Sequence, residues 1–179
     1  MTRVYATTLG AAASLIFALA PSLTAQTPAR FGIGRAATPE EIGAIDIDVM
    51  PDGRGLPPGK GTVAEGAAVY AAKCQSCHGA KGEGGKFDRL VGKDPSVKTI
   101  GNYWPYASTL YDYTARSMPF SQPGTLTPNE VYGLVAYLLN LNEIVPENAV
   151  MDAASLPKVK MPARDRFVKD DRTGGPRVK

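Results

Sequence analysis

Apolar positions recur at helical spacing in two long stretches of this chain, and polar, glycine-rich sequence separates them. After Pro128, residues Val131, Leu134, Val135, Leu138 and Leu141 follow the i, i+3, i+4, i+7 pattern of one helix face. After Thr62, residues Val63, Ala67, Tyr70, Ala71 and Cys74 line a second face. A third helix is expected over about 105–117, between Trp104-Pro105 and Ser117-Met118-Pro119. Thr-x-x-Glu occurs at Thr38/Glu41, Thr62/Glu65 and Thr127/Glu130. In such a box the Thr hydroxyl accepts the N–H of the third helical residue, and the Glu reaches back to the cap. Pro39 and Pro128 fall at the first helical position, where a missing N–H costs nothing. Gly66 sits one turn before Tyr70. Glycine weakens a helix interior by about 1 kcal/mol, which suits a place where another helix must come close. No strand pattern exceeds four residues. The expected fold class is mainly α.

The region from Gly79 to Gly101 is rich in glycine and lysine without periodicity and reads as a loop long enough to wrap a flat ligand. Residues 1–25 read as a secretory signal: Arg3 supplies charge, Ala6–Ala20 is small or apolar, and Leu23-Thr24-Ala25 precedes Gln26. A retained anchor is the alternative, but an apolar run of about fifteen residues falls short of the roughly twenty that a spanning helix needs. The expected organisation is a signal peptide at 1–25, an N-terminal arm at 26–58, a helical domain at 59–145 and a C-terminal arm at 146–179. The arms are either solvated tails or straps that wrap the domain or grip a partner.

Composition narrows the chemistry sharply. Cys74-Gln75-Ser76-Cys77-His78 contains both cysteines and the single histidine of the chain. Two thiols three positions apart, followed at once by an imidazole, form the attachment pattern of a c-type haem: each thiol adds to a vinyl group and the histidine binds iron. A zinc site would need two further Cys or His ligands, which the chain lacks. A redox dithiol would need a βαβ setting, which is also missing. One haem c is therefore expected, without bis-histidine ligation, and catalytic sets built on histidine or a free thiol are absent. Thioether attachment in bacteria occurs outside the cytoplasm, so export to the periplasm is expected. A net charge of +3 is too small to suggest nucleic-acid binding. No membrane span is expected once the signal is removed.

The second axial ligand decides what such an iron does, and methionine sulfur would raise its potential and close it to outside ligands. Met50-Pro51, Met118-Pro119 and Met161-Pro162 compete for this role. Met118 is the best placed, at the end of a helix with the intervening loop free to pass the haem edge. Tyr103, Trp104 and Tyr106 either pack on the porphyrin or donate hydrogen bonds to its propionates, and Arg89 is a further propionate candidate. Lys73, Lys81, Lys86, Lys93 and Lys98 surround the motif in sequence and, if clustered, would steer an acidic redox partner.

With Gly66/Tyr70, the haem motif, Met118-Pro119 and Tyr137 in this order, residues 60–142 resemble class I c-type cytochromes. The resemblance implies that the glycine and aromatic of the first helix pack on the aromatic of the last. That family often has Pro-x-Leu after the motif, with the proline carbonyl orienting the histidine; the matching stretch here is Asp88-Arg89-Leu90. A narrower resemblance, to the cytochrome subunit of Sox-type sulfur or sulfite dehydrogenases, rests on several segments. They are Phe31–Arg35, Ala44–Gly53, Gly55–Gly59, Asn102–Tyr113, Ser117–Phe120 and Ser155–Phe167. It implies a molybdenum-cofactor subunit as partner, a downstream cytochrome or oxidase as acceptor, and docking roles for the arms.

The expectation is a periplasmic monohaem electron-transfer subunit, its haem held by Cys74, Cys77, His78 and Met118, with no independent catalytic site. A diffusible cytochrome serving another dehydrogenase or a terminal oxidase is the first rival. A catalytic haem protein is the second; it would need an open sixth position with acid–base groups above it. A structural tether for a partner is the third.

Overall fold

All three Thr-x-x-Glu boxes cap helices, with both reciprocal hydrogen bonds formed: α1 (Pro39–Ile45), α2 (Val63–Lys73) and α6 (Pro128–Leu141). The computed structural model describes residues 32–168 together with 171 and 173; the expected signal peptide lies outside the described residues. The chain divides into Met1–Ala37 and Thr38–Lys179. Of the first unit, the described residues 32–37 are exposed. The remaining elements all belong to the second: β1 (Lys60–Thr62), α3 (Gln75–His78), α4 (Ile100–Tyr103), α5 (Ala107–Ser117) and β2 (Val150–Asp152), with 3₁₀ turns at Leu156–Lys158 and Arg164–Arg166. The fold is mainly helical.

The architecture is organised by α2 crossing α6. A Cβ on Gly66 would run into the carbonyl of Gly133, so two glycines let the backbones touch. One turn further on, the Tyr70 and Tyr137 rings meet at 5.3 Å. At the rim Lys73 pairs with Glu130 at 2.6 Å. The expected apolar stripe of α6 is too narrow, because Tyr132, Gly133, Ala136 and Leu139 are buried as well. The reason is that α6 is covered from several sides. Tyr111 of α5 packs on Tyr132 at 4.6 Å, and β1 and β2 also pack on α6.

Both arms contribute to this core. β1 and β2 pair antiparallel, Gly61 opposite Met151, which brings the C-terminal segment alongside the start of α2. Met151, Leu156, Met161 and Ala163 are then buried, so this part of the arm is a strap rather than a solvated tail. Residues 49–57 form a second strap. The Val49 N–H donates to Asp112 Oδ1 at 2.9 Å, Ser108 Oγ donates to the Pro51 carbonyl at 3.2 Å, and the Tyr132 hydroxyl donates to that of Pro57 at 2.8 Å. Residues 38–48, including all of α1, stay exposed. Among the described residues no helix is long and apolar enough to cross a membrane.

Candidate functional site

The attachment motif begins where α2 stops. The Cys74 N–H closes the last turn on the Tyr70 carbonyl at 2.9 Å, and α3 then carries Cys77 and His78. Both cysteines are half-buried, and they form no disulfide with each other. Burial pushes the Cys74 thiol up to about 11. No group of three or more His, Cys, Asp or Glu side chains among the described residues is arranged to hold a metal ion. The Tyr70 hydroxyl donates to the Gly79 carbonyl at 2.9 Å, tying the loop after the motif to the helix crossing.

His78 Nδ1 lies 3.1 Å from the Asp88 carbonyl oxygen. That contact puts the proton on Nδ1 and leaves the Nε2 lone pair free for a metal. The acceptor is main chain, so the proline of the family pattern is not required, and Asp88 fills its place. The loop returns to present this carbonyl through a run of backbone bonds. Gly84 N–H donates to the His78 carbonyl at 2.9 Å, Phe87 N–H to that of Cys77 at 3.2 Å, and Leu90 and Val91 N–H to that of Gly82 at 2.9 and 3.0 Å. Asn142, just past α6, clamps the loop: its Nδ2 donates to the Leu90 carbonyl at 3.3 Å and its Oδ1 accepts from the Gly92 N–H at 3.3 Å.

Met118 caps α5, its N–H donating to the Thr114 carbonyl at 3.1 Å, and is half-buried. Two phenylalanines join its segment to that of His78. The Phe87 ring lies 6.2 Å from the imidazole and 6.1 Å from the ring of Phe120, two residues beyond Met118. The other methionine candidates lie on the two straps. Met161 is in the core at 3% exposure, and Met50 lies in the strap before β1, half-buried. Trp104 stands edge-on to Tyr113 at 5.7 Å. Lys98 covers the Tyr103 ring at 4.4 Å and Arg164 covers that of Tyr106 at 4.3 Å. Arg89 uses its Nε on the Glu83 carbonyl at 3.1 Å, within the loop.

Sequence points to the Asp88 carbonyl only through the family pattern, and does not single out Phe87, Gly133 or Asn142. A main-chain acceptor leaves no sequence trace, whereas Gly133, three residues after Glu130 in the longest helix, could have been paired with Gly66 as a close-contact position. The donor set fits a haem: two thiols three apart, an imidazole oriented through Nδ1, and Cys74, Leu90 and Trp104 packed as an apolar edge of the core.

The family model described as cytochrome c oxidase, cbb3-type, subunit III matches residues 61–138. The thiosulfate dehydrogenase of Psychrobacter arcticus is 32% identical over 92 residues, 49% of this chain; the chain spans only 28% of that protein's length. In structure, the chain superposes on the sulfane dehydrogenase SoxCD from Paracoccus pantotrophus with a TM-score of 0.72 and 46% identity, covering 80% of this chain and 74% of that one. The chain belongs to the cytochrome c family. It is an electron-transfer cytochrome domain that binds haem c. Within that class its likeness is to the cytochrome of Sox-type sulfur dehydrogenases.

Proposed function

We propose that this protein is a periplasmic monohaem cytochrome that accepts electrons from a molybdenum-dependent sulfite or sulfur dehydrogenase. Cys74 and Cys77 would hold the haem through thioethers, and His78 and Met118 would be the side chains that bind its iron. The haem supplies one-electron Fe(III)/Fe(II) cycling. The chain's own groups do the rest. The Asp88 carbonyl fixes the His78 tautomer, Asn142 holds the loop that presents that carbonyl, and the Phe87 and Phe120 rings meet between the two ligand segments. Tyr103, Trp104, Tyr106 and Arg89 remain the propionate-side candidates. No acid–base group is assigned a catalytic step, and the protein turns over no substrate by itself.

The observation that carries this reading is the oriented His78 within Cys-x-x-Cys-His, joined to a 46% likeness that is too long to be confined to the haem domain. Native purification from the periplasm tests it: the cytochrome should co-elute with a molybdenum-containing subunit and be reduced by it when sulfite or a reduced sulfur compound is added. A cytochrome that elutes alone and stays oxidised would favour the second reading, a diffusible carrier to an oxidase. The match of residues 61–138 to an oxidase-associated family supports that reading.

A further inference from the structure

Ser108, Asp112 and Arg116 are spaced four apart on α5 and so form a polar stripe along one face of that helix. The strap at 49–57 lies on this stripe. Ser108 is fully buried and gives its hydroxyl proton to the Pro51 carbonyl. Asp112 Oδ1 accepts from both the Val49 N–H and Arg116 Nε, each at 2.9 Å, and Oδ2 accepts from Arg116 Nη2. A two-toothed pair of this kind fixes the orientation of both groups. Ion pairs on an open helix surface contribute little. Here the Asp112 side chain is only 13% exposed, and its carboxylate also bonds to a residue 63 positions away. Asp112 and Arg116 together bolt the strap to the last turn of α5.

That turn leads straight to Met118. Arg116 stands two residues before it, and the Met118 N–H closes on the Thr114 carbonyl. Beyond Met118 the chain supports itself locally. Among the described residues of 119–126, the hydrogen bonds run from the Gln122 N–H to the Pro119 carbonyl and from Thr125 Oγ1 to that of Gln122, both at 2.8 Å. Phe120 is 76% exposed. His78 is placed differently, directly after Cys77 and with its ring held by the Asp88 carbonyl. Met118 therefore takes its position from the end of α5, which the strap holds.

We infer that Asp112 and Arg116 are positioning residues for Met118: with Ser108 they fix α5 to the 49–57 strap and so keep the methionine on the iron. The inference rests on the ligand role proposed for Met118 and adds the part of the chain that enforces it. Loosening the bolt frees the end of α5, and the iron is then open to an outside ligand for a larger fraction of the time. The apparent affinity for that ligand rises in proportion to the open fraction.

The test adds imidazole to the full-length ferric holocytochrome, with the long-wavelength sulfur–iron band reporting Met118 itself. Asp112→Ala should bind imidazole at least about tenfold more tightly than wild type, because it removes charge-assisted bonds from the closed state. Arg116→Gln, at a half-exposed position that leaves folding intact, should bind it several-fold more tightly and weaken the band. Arg116→Lys keeps the charge and should fall between Arg116→Gln and wild type. Met161→Ala controls for general destabilisation: it should lower the thermal midpoint and leave imidazole affinity at the wild-type level. If the Asp112 and Arg116 variants match wild type in band and affinity, the positioning inference is wrong and Met118 stands as ligand. If Met161→Ala tightens imidazole binding as much as they do, the effect is global loosening and the inference is overturned. If wild type lacks the band and binds imidazole as readily as Met118→Ala, the ligand role and the inference both fall.

Discussion

The two arms of this cytochrome share a design vocabulary and use it to opposite ends. The C-terminal arm has little regular structure, one three-residue strand and two 3₁₀ turns among its described residues, yet it buries Met151, Leu156, Met161 and Ala163. The N-terminal arm has a helix with a complete capping box at 39–45 and buries none of it. Local order and burial are thus separable. A cap specifies where a helix starts; only long-range packing decides whether a segment belongs to the core. The C-terminal arm contributes to stability.

The widest gap between the arms is expected on truncating one apolar residue in each. Leu156→Ala, at a fully buried position, should lower unfolding free energy by about 2–5 kcal/mol. Ile45→Ala, on the exposed helix, should stay within about 0.5 kcal/mol. Equal losses in denaturant titrations would erase the distinction.

A second pair separates structural from ligand methionine. Met161→Ala should destabilise by about 2–5 kcal/mol and leave the reduction potential of the haem protein nearly unchanged. Met118→Ala should lower that potential and abolish the long-wavelength sulfur–iron charge-transfer band. Loss of the band in the Met161 variant instead would exchange their roles.

Smaller effects are expected from the caps. Thr127→Ala removes the hydroxyl that caps α6 and should cost about 1 kcal/mol of global stability. Thr38→Ala, removing the equivalent bond on α1, should fray that helix alone, seen as faster amide exchange at 39–45 with the global midpoint unmoved. A shifted midpoint would mean that α1 is coupled to the core after all.

pH gives the mildest probe. Burial raises the Tyr70 and Tyr132 hydroxyls to about 12 from the ordinary value of 10.0. The unfolded chain therefore loses these protons first, so their contribution is complete below about pH 10 and is lost as pH rises towards 12. Tyrosinate absorbance should lag in the folded protein, and Tyr132→Phe should flatten the alkaline decline in stability. An unchanged decline would assign it to other groups.

Much of this was readable in the chain because it is local. Periodicity located α2 and α6, the flanking prolines bracketed α5, the Thr-x-x-Glu boxes set three starts, and Gly66 announced a close approach. What escaped depends on distant partners. Lys60-Gly61-Thr62 has no strand alternation; it is extended because Val150–Asp152 pairs with it. Met151, Leu156 and Met161 follow no helical or strand period, so their burial is visible only once the arm is laid against the core. The acceptor for His78 is a main-chain oxygen, which any residue at position 88 could offer. The Phe87–Phe120 contact joins two segments across the loop and α5, and nothing in either segment names the other.

The central claim is that Cys74 and Cys77 carry haem covalently. Intact-mass measurement under denaturing conditions, on protein exported from a host with haem-attachment machinery, tests it most directly. A single species heavier by one haem is the predicted result, reduced to an unmodified chain in Cys74→Ser/Cys77→Ser. A colourless wild-type protein with the mass of the bare polypeptide would contradict it.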